Sequence, residues 1–266
     1  MSSHPTGTGS RRVVVTGAAS GIGAALAARL VAAGHEVIGV DRAPATIPDG
    51  AVRVTCDLAD PASVAAAVGE IDGIGAGPLH GLAAVAGVPG TAPPETVYAV
   101  NLLGLRRLTE ALLPRLADGG AIVLLSSMAG YRGTATDEEA AALVALPDDV
   151  LAARLAALGL AGPEAYQLSK QLVQRYALDL AARLHPRAVR ATSISPGPVQ
   201  TPILADFRAT MPSLDVAAEL VGRHARPEEV AAVVEFALSP EASWLNGVDL
   251  RLDGGLTALR STTATR

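Results

Sequence analysis

Short apolar runs alternate with Ala-rich stretches along this chain. Runs at Arg12–Thr16, His35–Asp41, Val52–Cys56, Leu82–Ala86, Ala121–Ser126, Ala188–Ile194 and Val248–Leu252 are, for the most part, rich in Val and Ile and not alternating. Such runs suit parallel strands covered on both faces. Helices are predicted between them at Ile22–Ala33, Pro61–Val68, Glu95–Leu116, Tyr166–Leu184 and Pro227–Leu238. Gly34 stands where a helix stop is expected, and Pro61 stands near a first turn. Leu172, Val173, Tyr176 and Leu180 recur at helical spacing. The pattern predicts an α/β fold, a doubly wound parallel sheet with helices on both faces. No repeat or linker divides it, so residues 11–266 read as one domain behind a flexible Gly-, Ser- and Thr-rich tail at 1–10.

Composition narrows the class. Of 266 residues, 50% are hydrophobic and 18% charged, which is too apolar for a disordered chain and ample for one core. A net charge of −5 argues against a nucleic-acid partner. Cys56 is the single cysteine, and the five histidines (4, 35, 80, 185 and 224) lack ligand spacing, so no metal is expected. No apolar run reaches the length of a membrane span, and residues 1–10 lack the apolar stretch of a signal peptide. The expectation is a soluble cytoplasmic protein. Lys170 is the only lysine; every other Lys/Arg position is arginine.

The first strand runs into Thr16-Gly17-Ala18-Ala19-Ser20-Gly21-Ile22-Gly23, and a helix follows at once. Glycines let a backbone turn sharply and approach a pyrophosphate, and a helix N-terminus offers free N–H groups. The spacing is G-x-x-x-G-x-G. A plain Gly-rich turn would share it, but the strand–turn–helix context favours a dinucleotide site. Asp41 ends the second strand 18 positions after Gly23. A carboxylate there accepts from ribose hydroxyls and repels a 2′-phosphate, which favours NAD over NADP. Arg42 beside it could face a phosphate, so NADP stays open. Asp57, after the third strand, could reach the adenine edge or be a plain loop Asp.

Tyr166 and Lys170 stand four apart, on one face of a helix. A free phenol has a pKa near ~10; a neighbouring ammonium lowers it and makes it a usable acid/base. A chain that otherwise uses only arginine has its lysine at this place. Ser126-Ser127 ends the fifth strand, where a hydroxyl can bond a substrate oxygen. No G-x-S-x-G elbow is present, which disfavours hydrolase chemistry. Asn101 lies in an apolar helical stretch and needs partners if buried.

Taken in order, Thr16-Gly-x-x-x-Gly-Ile-Gly23, Asp57-Leu58, Asn101, Ser127, Tyr166-x-x-x-Lys170, Pro196-Gly197 and Asp253-Gly-Gly255 resemble the short-chain dehydrogenase/reductase superfamily over roughly 11–256. The resemblance implies a single-domain Rossmann-like fold. It implies catalytic roles for Asn101, Ser127, Tyr166 and Lys170: Tyr166 as acid/base, Lys170 lowering its pKa and holding the nicotinamide ribose, Asn101 supporting a proton relay. It implies cofactor contacts at Gly17, Ser20, Gly21, Ile22, Gly23, Asp41, Asp57, Leu58, Ala86, Gly87, Tyr166, Lys170, Pro196, Gly197, Val199 and Thr201. The family's Asn-Asn-Ala-Gly turn is Ala84-Val85-Ala86-Gly87 here, without its two polar side chains.

Ser127 and Tyr166 lie 39 positions apart, far more than in most of the superfamily. The extra segment, about 131–163, holds Asp137-Glu138-Glu139 and a helical stretch at Asp148–Leu158, and is expected to be a lid, a binding loop or an interface element. This spacing resembles the branch of hydroxysteroid dehydrogenase/carbonyl reductases and coniferyl alcohol dehydrogenases. So do Ala86-Gly-Val-Pro-Gly-Thr91, Pro196-Gly-Pro-Val-Gln-Thr-Pro-Ile-Leu204, Trp244-Leu-Asn-Gly247 and Asp253-Gly-Gly-Leu256. The expected activity is NAD-dependent interconversion of a secondary, aryl, allylic or steroid-like alcohol with its carbonyl compound. Val88, Met128, Tyr131, Leu204 and Phe207 are the expected substrate walls. A homodimer or homotetramer is expected, with a small-molecule substrate and no nucleic-acid or membrane partner. Two rival readings remain: an NADPH-dependent carbonyl reductase, and a cofactor-sensing protein without catalysis.

Overall fold

The structure, a computed structural model, describes residues 9–75, 77–202, 204 and 213–263. Residues 1–8 of the expected tail and the expected wall residue Phe207 lie outside them. Among the described residues, no helix is long and apolar enough to cross a membrane.

Seven strands pair in parallel: β1 (Arg12–Thr16), β2 (Glu36–Asp41), β3 (Val52–Thr55), β4 (Leu79–Ala84), β5 (Leu116–Leu125), β6 (Arg190–Pro196) and β7 (Asp249–Leu252). Their order is β3-β2-β1-β4-β5-β6-β7. The chain winds outward from β1 and then returns to lay β4 on its other side. Strand order therefore reverses between β1 and β4, and a crevice opens at their C-terminal ends.

Side chains alternate across a strand, so each apolar run feeds two cores. Val13 and Val15 face Leu26 and Leu30 of α1 (Gly21–Ala32), together with Val230 and Val234. Val14 faces the opposite layer, with Val64 of α2 (Pro61–Gly73). Asp60 caps α2 through a carboxylate that accepts from the Ala62 N–H, with Pro61 in the first turn. Gly34, at φ +81°, ends α1 where a side chain would be strained.

The predicted long helix at Glu95–Leu116 runs from Pro94 to Arg115 in helical backbone conformation but changes its hydrogen-bond register along the way. It comprises α3 (Pro94–Tyr98), a wide π turn (Ala99–Gly104), α4 (Leu105–Leu112) and a 3₁₀ turn (Leu113–Arg115), and Leu116 already opens β5. Gly104 lets this helix pass close to Leu58, since a Cβ there would lie 2.1 Å from the Leu58 carbonyl oxygen, and Pro114 cannot continue the hydrogen-bond ladder. Strand β4 starts three residues earlier than predicted, and the helix bearing Tyr166 starts four residues earlier.

After β5 come a 3₁₀ turn (Met128–Arg132), α5 (Asp137–Val144), α6 (Asp148–Ala157) and the long α7 (Gly162–Leu184). A reciprocal capping box of Thr136 and Glu139 starts α5. Val144, Leu151 and Leu155 join the core layer of α4 and α7. Arg106 of α4 is 7% exposed and holds this segment. It donates to the Val144 and Leu146 carbonyls, each at 2.9 Å, and pairs with Asp148. Next, α8 (Ser213–Val221) meets α10 (Leu256–Thr263), while α9 (Pro227–Leu238) packs on α1 over the opposite face of the sheet.

Candidate active site

A cavity of about 610 Å³ lies over the C-terminal ends of the strands. Its floor at one end is the turn from β1 into α1. Gly17 has φ +70°, and a Cβ there would stand 2.9 Å from the Ala86 Cα. A Cβ at Gly23 would stand 2.1 Å from the Gly17 carbonyl oxygen. Thr16 Oγ1 accepts from the Val85 and Ala86 N–H groups, each at 3.0 Å, and so locks this turn to the one after β4. Ser20 precedes the helix in extended conformation without using its hydroxyl as a cap. The N-terminal amides of α1 and the Ser20 hydroxyl face a cradle that side chains would fill. A dinucleotide pyrophosphate fits that donor set.

Asp41 lines the cavity beside this turn. Its carboxylate accepts from Ala19 N–H at 3.1 Å and Ala43 N–H at 3.0 Å, which fixes its orientation and leaves lone pairs for hydroxyl donors. Asp57 and Leu58 also line it, and Asp57 is oriented by Ala59 N–H at 2.9 Å. Cys56 lines the same end. Burial, the main cause, pushes its thiol up, so it stays protonated and unreactive.

At the other end Tyr166, Lys170 and Ser127 meet. Tyr166 and Lys170 are buried, one helical turn apart on α7. Ser127 shares a side-chain hydrogen bond with Tyr166 and accepts from Ala129 N–H at 3.1 Å. Lys170 Nζ donates to the Leu125 carbonyl at 2.9 Å and stands 5.7 Å from the Tyr166 ring centroid. The expectation that the ammonium would make the phenol acidic is not met in this structure. Burial pushes Tyr166 up to about 12, against the Ser127 bond that pulls it down. Burial likewise pushes Lys170 down to about 8. Desolvation of a closed site outweighs a cation that faces a carbonyl. The neighbouring Ser126 is structural: its hydroxyl donates to the Lys170 carbonyl at 2.8 Å.

Asn101 does not line the cavity. It is wholly buried in the π turn, where Oδ1 accepts from Val88 N–H at 2.8 Å and Nδ2 donates to the Val88 carbonyl at 3.0 Å. It positions the Ala86-Gly87-Val88 wall. Gly87 leaves the space between Asn101 Oδ1 and Lys170 Nζ, which a Cβ would approach to 3.1 and 3.5 Å. Pro196, Gly197, Val199 and Thr201 form the opposite wall, with Thr201 Cγ2 3.1 Å from where a Cβ on Gly21 would be.

Val88, Met128, Tyr131 and Leu204 line the cavity as expected of substrate walls. Tyr131 is more constrained than an apolar wall: its hydroxyl donates to Asp249 at 2.5 Å, and Arg251 stacks 3.9 Å from its ring centroid. Of the segment 131–163, only Tyr131 and Arg132 reach the cavity. The remainder packs on the helices of that layer, α5 on α7 and α6 on α3 and the π turn, and Arg106 of α4 ties it there. Sequence reasoning missed Arg132, Ala217, Leu256, Thr257 and Arg260 as lining residues. Leu256 ends the Asp253-Gly-Gly-Leu256 motif, which does not mark it as a wall, and no motif marks the others; α8 and α10 bring in the last four.

Comparison with known proteins agrees with this geometry. The sequence matches the family described as short chain dehydrogenase over residues 11–138, and the one described as enoyl-(acyl carrier protein) reductase over residues 150–257. It is 37% identical over 255 residues to a coniferyl-alcohol dehydrogenase from a Pseudomonas species, covering 93% of this chain and 97% of the relative. The chain belongs to the short-chain dehydrogenase/reductase family.

Further members bear this out. A 3-alpha-hydroxysteroid dehydrogenase/carbonyl reductase of Comamonas testosteroni is 33% identical, with 93% and 96% of the two chains covered. The crystal structure of a 3-alpha-hydroxysteroid dehydrogenase from a Pseudomonas species, complexed with NADH, superposes with a TM-score of 0.81 at 32% identity, covering 94% and 98% of the two chains. The short-chain dehydrogenase/reductase described here is accordingly an oxidoreductase, of the type whose relatives are named for alcohols.

Proposed function

We propose that this protein interconverts a secondary, aryl, allylic or steroid-like alcohol with its carbonyl compound, using NAD. The observation that carries the reading is the meeting of Ser127, Tyr166 and Lys170 at one end of a cavity whose other end is the glycine cradle and Asp41. When bound, the nicotinamide dinucleotide supplies the hydride donor or acceptor. Tyr166 exchanges a proton with the substrate oxygen through Oη. A neutral phenol is the acid that carbonyl reduction needs; alcohol oxidation needs the phenolate, so oxidation gains as pH rises. Ser127 donates to the same substrate oxygen and steadies its charge. Lys170, with one donor on Leu125, turns its others toward a cofactor ribose. Asp41 accepts from the adenosine ribose hydroxyls and disfavours a 2′-phosphate there.

Parallel turnover of alcohols and ketones with NAD(H) and NADP(H) tests the whole reading. Tyr166→Phe is expected to lower kcat by about 100-fold or more while NADH binding persists. Full turnover in that variant refutes the proton role. Asp41→Ala is expected to raise kcat/KM with NADP relative to NAD; unchanged selectivity counts against the cofactor assignment. NADH binding without turnover of any alcohol or ketone would favour a sensing role instead.

A further inference from the structure

Almost every described arginine is committed to a carbonyl, a carboxylate or a ring. Among them only Arg42, Arg132, Arg154 and Arg260 make no hydrogen bond, ion pair or ring contact, and all of these except Arg154 line the cavity. Arg42 follows Asp41 at the dinucleotide end, where Asp57 is also near. The other two line the cavity from the turn after β5 and from α10. Arg132 closes the 3₁₀ turn that Ser127 opens. Arg260 lies one turn along α10 from Leu256 and Thr257, and the loop before them brings Asp253 Cα within 3.2 Å of a Cβ position on Gly197.

With Lys170, these side chains give the cavity three cationic groups besides Arg42. Among the described residues only two carboxylates line it, Asp41 and Asp57, and Asp41 is held at the dinucleotide turn by Ala19 N–H. The two carboxylates nearest in the chain are occupied elsewhere. Asp249 accepts from the hydroxyls of Tyr131, Ser193 and Ser195, and Asp253 accepts from Gly255 N–H, Thr257 N–H and the Thr257 hydroxyl. Neither lines the cavity. A locally positive lobe in a chain of net charge −5 selects anions, in both encounter and binding. A guanidinium presents a planar fork that matches a carboxylate. The remaining walls there, Val88, Met128, Leu204 and Leu256, are apolar.

We infer that the substrate is a hydroxy acid and its keto acid: an apolar body with the reacting carbon at Tyr166 and a carboxylate received by Arg132 and Arg260. The inference rests on the alcohol–carbonyl reading of the same site and names its substrate class.

Matched ketones test it on the whole enzyme with NADH: para-acetylbenzoate against its methyl ester, and levulinate against its methyl ester. The acid is expected to exceed its ester in kcat/KM by about 10-fold or more at low ionic strength, with the advantage shrinking as salt is added. Arg132→Gln and Arg260→Gln are each expected to bring the acid-to-ester ratio toward one. Arg154→Gln, on α6 and outside the cavity, is expected to leave it unchanged. An equal or inverted ratio, or one that neither cavity substitution moves, overturns the inference. Calorimetric binding of the same pairs to the enzyme–NADH complex separates the two claims. Arginine-dependent preference for the acid with no turnover of any ketone supports the anion site and sinks the reaction. Turnover of the esters with no binding advantage for the acids keeps the reaction and sinks the anion site.

Discussion

Replacing Lys170 with Met removes a cation from an interior that penalises it. Lys170 is 3% exposed, and burial pushes its pKa from 10.5 down to about 8. A pKa lowered on folding burdens the native state at low pH. Below about pH 8 both native and unfolded chains hold the proton, and the native state bears the full desolvation cost. Between about 8 and 10.5 the native lysine sheds its proton first and the cost fades; above 10.5 none remains. At about 1.4 kcal/mol per pH unit, the full cost is about 3 kcal/mol. Methionine also forfeits the bond from Nζ to the Leu125 carbonyl, returning about 1 kcal/mol. The variant is therefore expected to be about 2 kcal/mol more stable than wild type at about pH 7, worth about 5 °C in Tm, and no more stable near pH ~10.5. Urea and thermal unfolding of the cofactor-free protein at both pH values measure this. A Met variant less stable at neutral pH, or a difference independent of pH, would refute the claim that desolvation dominates this site.

Other consequences follow from single contacts. Arg106→Met strips the donors from the Val144 and Leu146 carbonyls and half the pairing of Asp148; it should cost about 3 kcal/mol in urea unfolding, and a cost under about 1 kcal/mol would show that the segment 131–163 is held by its apolar face alone. Adjacent serines should separate cleanly. Ser126→Ala loses a buried bond to the Lys170 carbonyl and should cost about 1 kcal/mol of stability with turnover kept, whereas Ser127→Ala should keep its Tm and lose about 100-fold in kcat. Reversal of those two outcomes in melting and steady-state kinetics would exchange the assigned roles.

Features set by short-range geometry could be read from residue order alone. Val13, Val14 and Val15 cannot be satisfied except in a strand buried on both faces, and the structure sets them in two cores. The spacing of Gly17, Gly21 and Gly23 marked the turn after β1, and a Cβ at Gly17 or Gly23 would indeed collide with backbone. Tyr166 and Lys170 are four apart, and a helix places such residues together wherever it packs. Packing between elements distant in the chain set the rest. It joined Ser127 to Tyr166 and committed Asn101 to Val88. It packed the long helix against Leu58 at Gly104. It laid α5 on α7 and α6 on α3 and the π turn, and brought Arg260 to the cavity wall. It also reversed the expected acidity of Tyr166, because spacing predicts which charges are near, while solvent exclusion, which depends on every layer around them, decides what those charges cost.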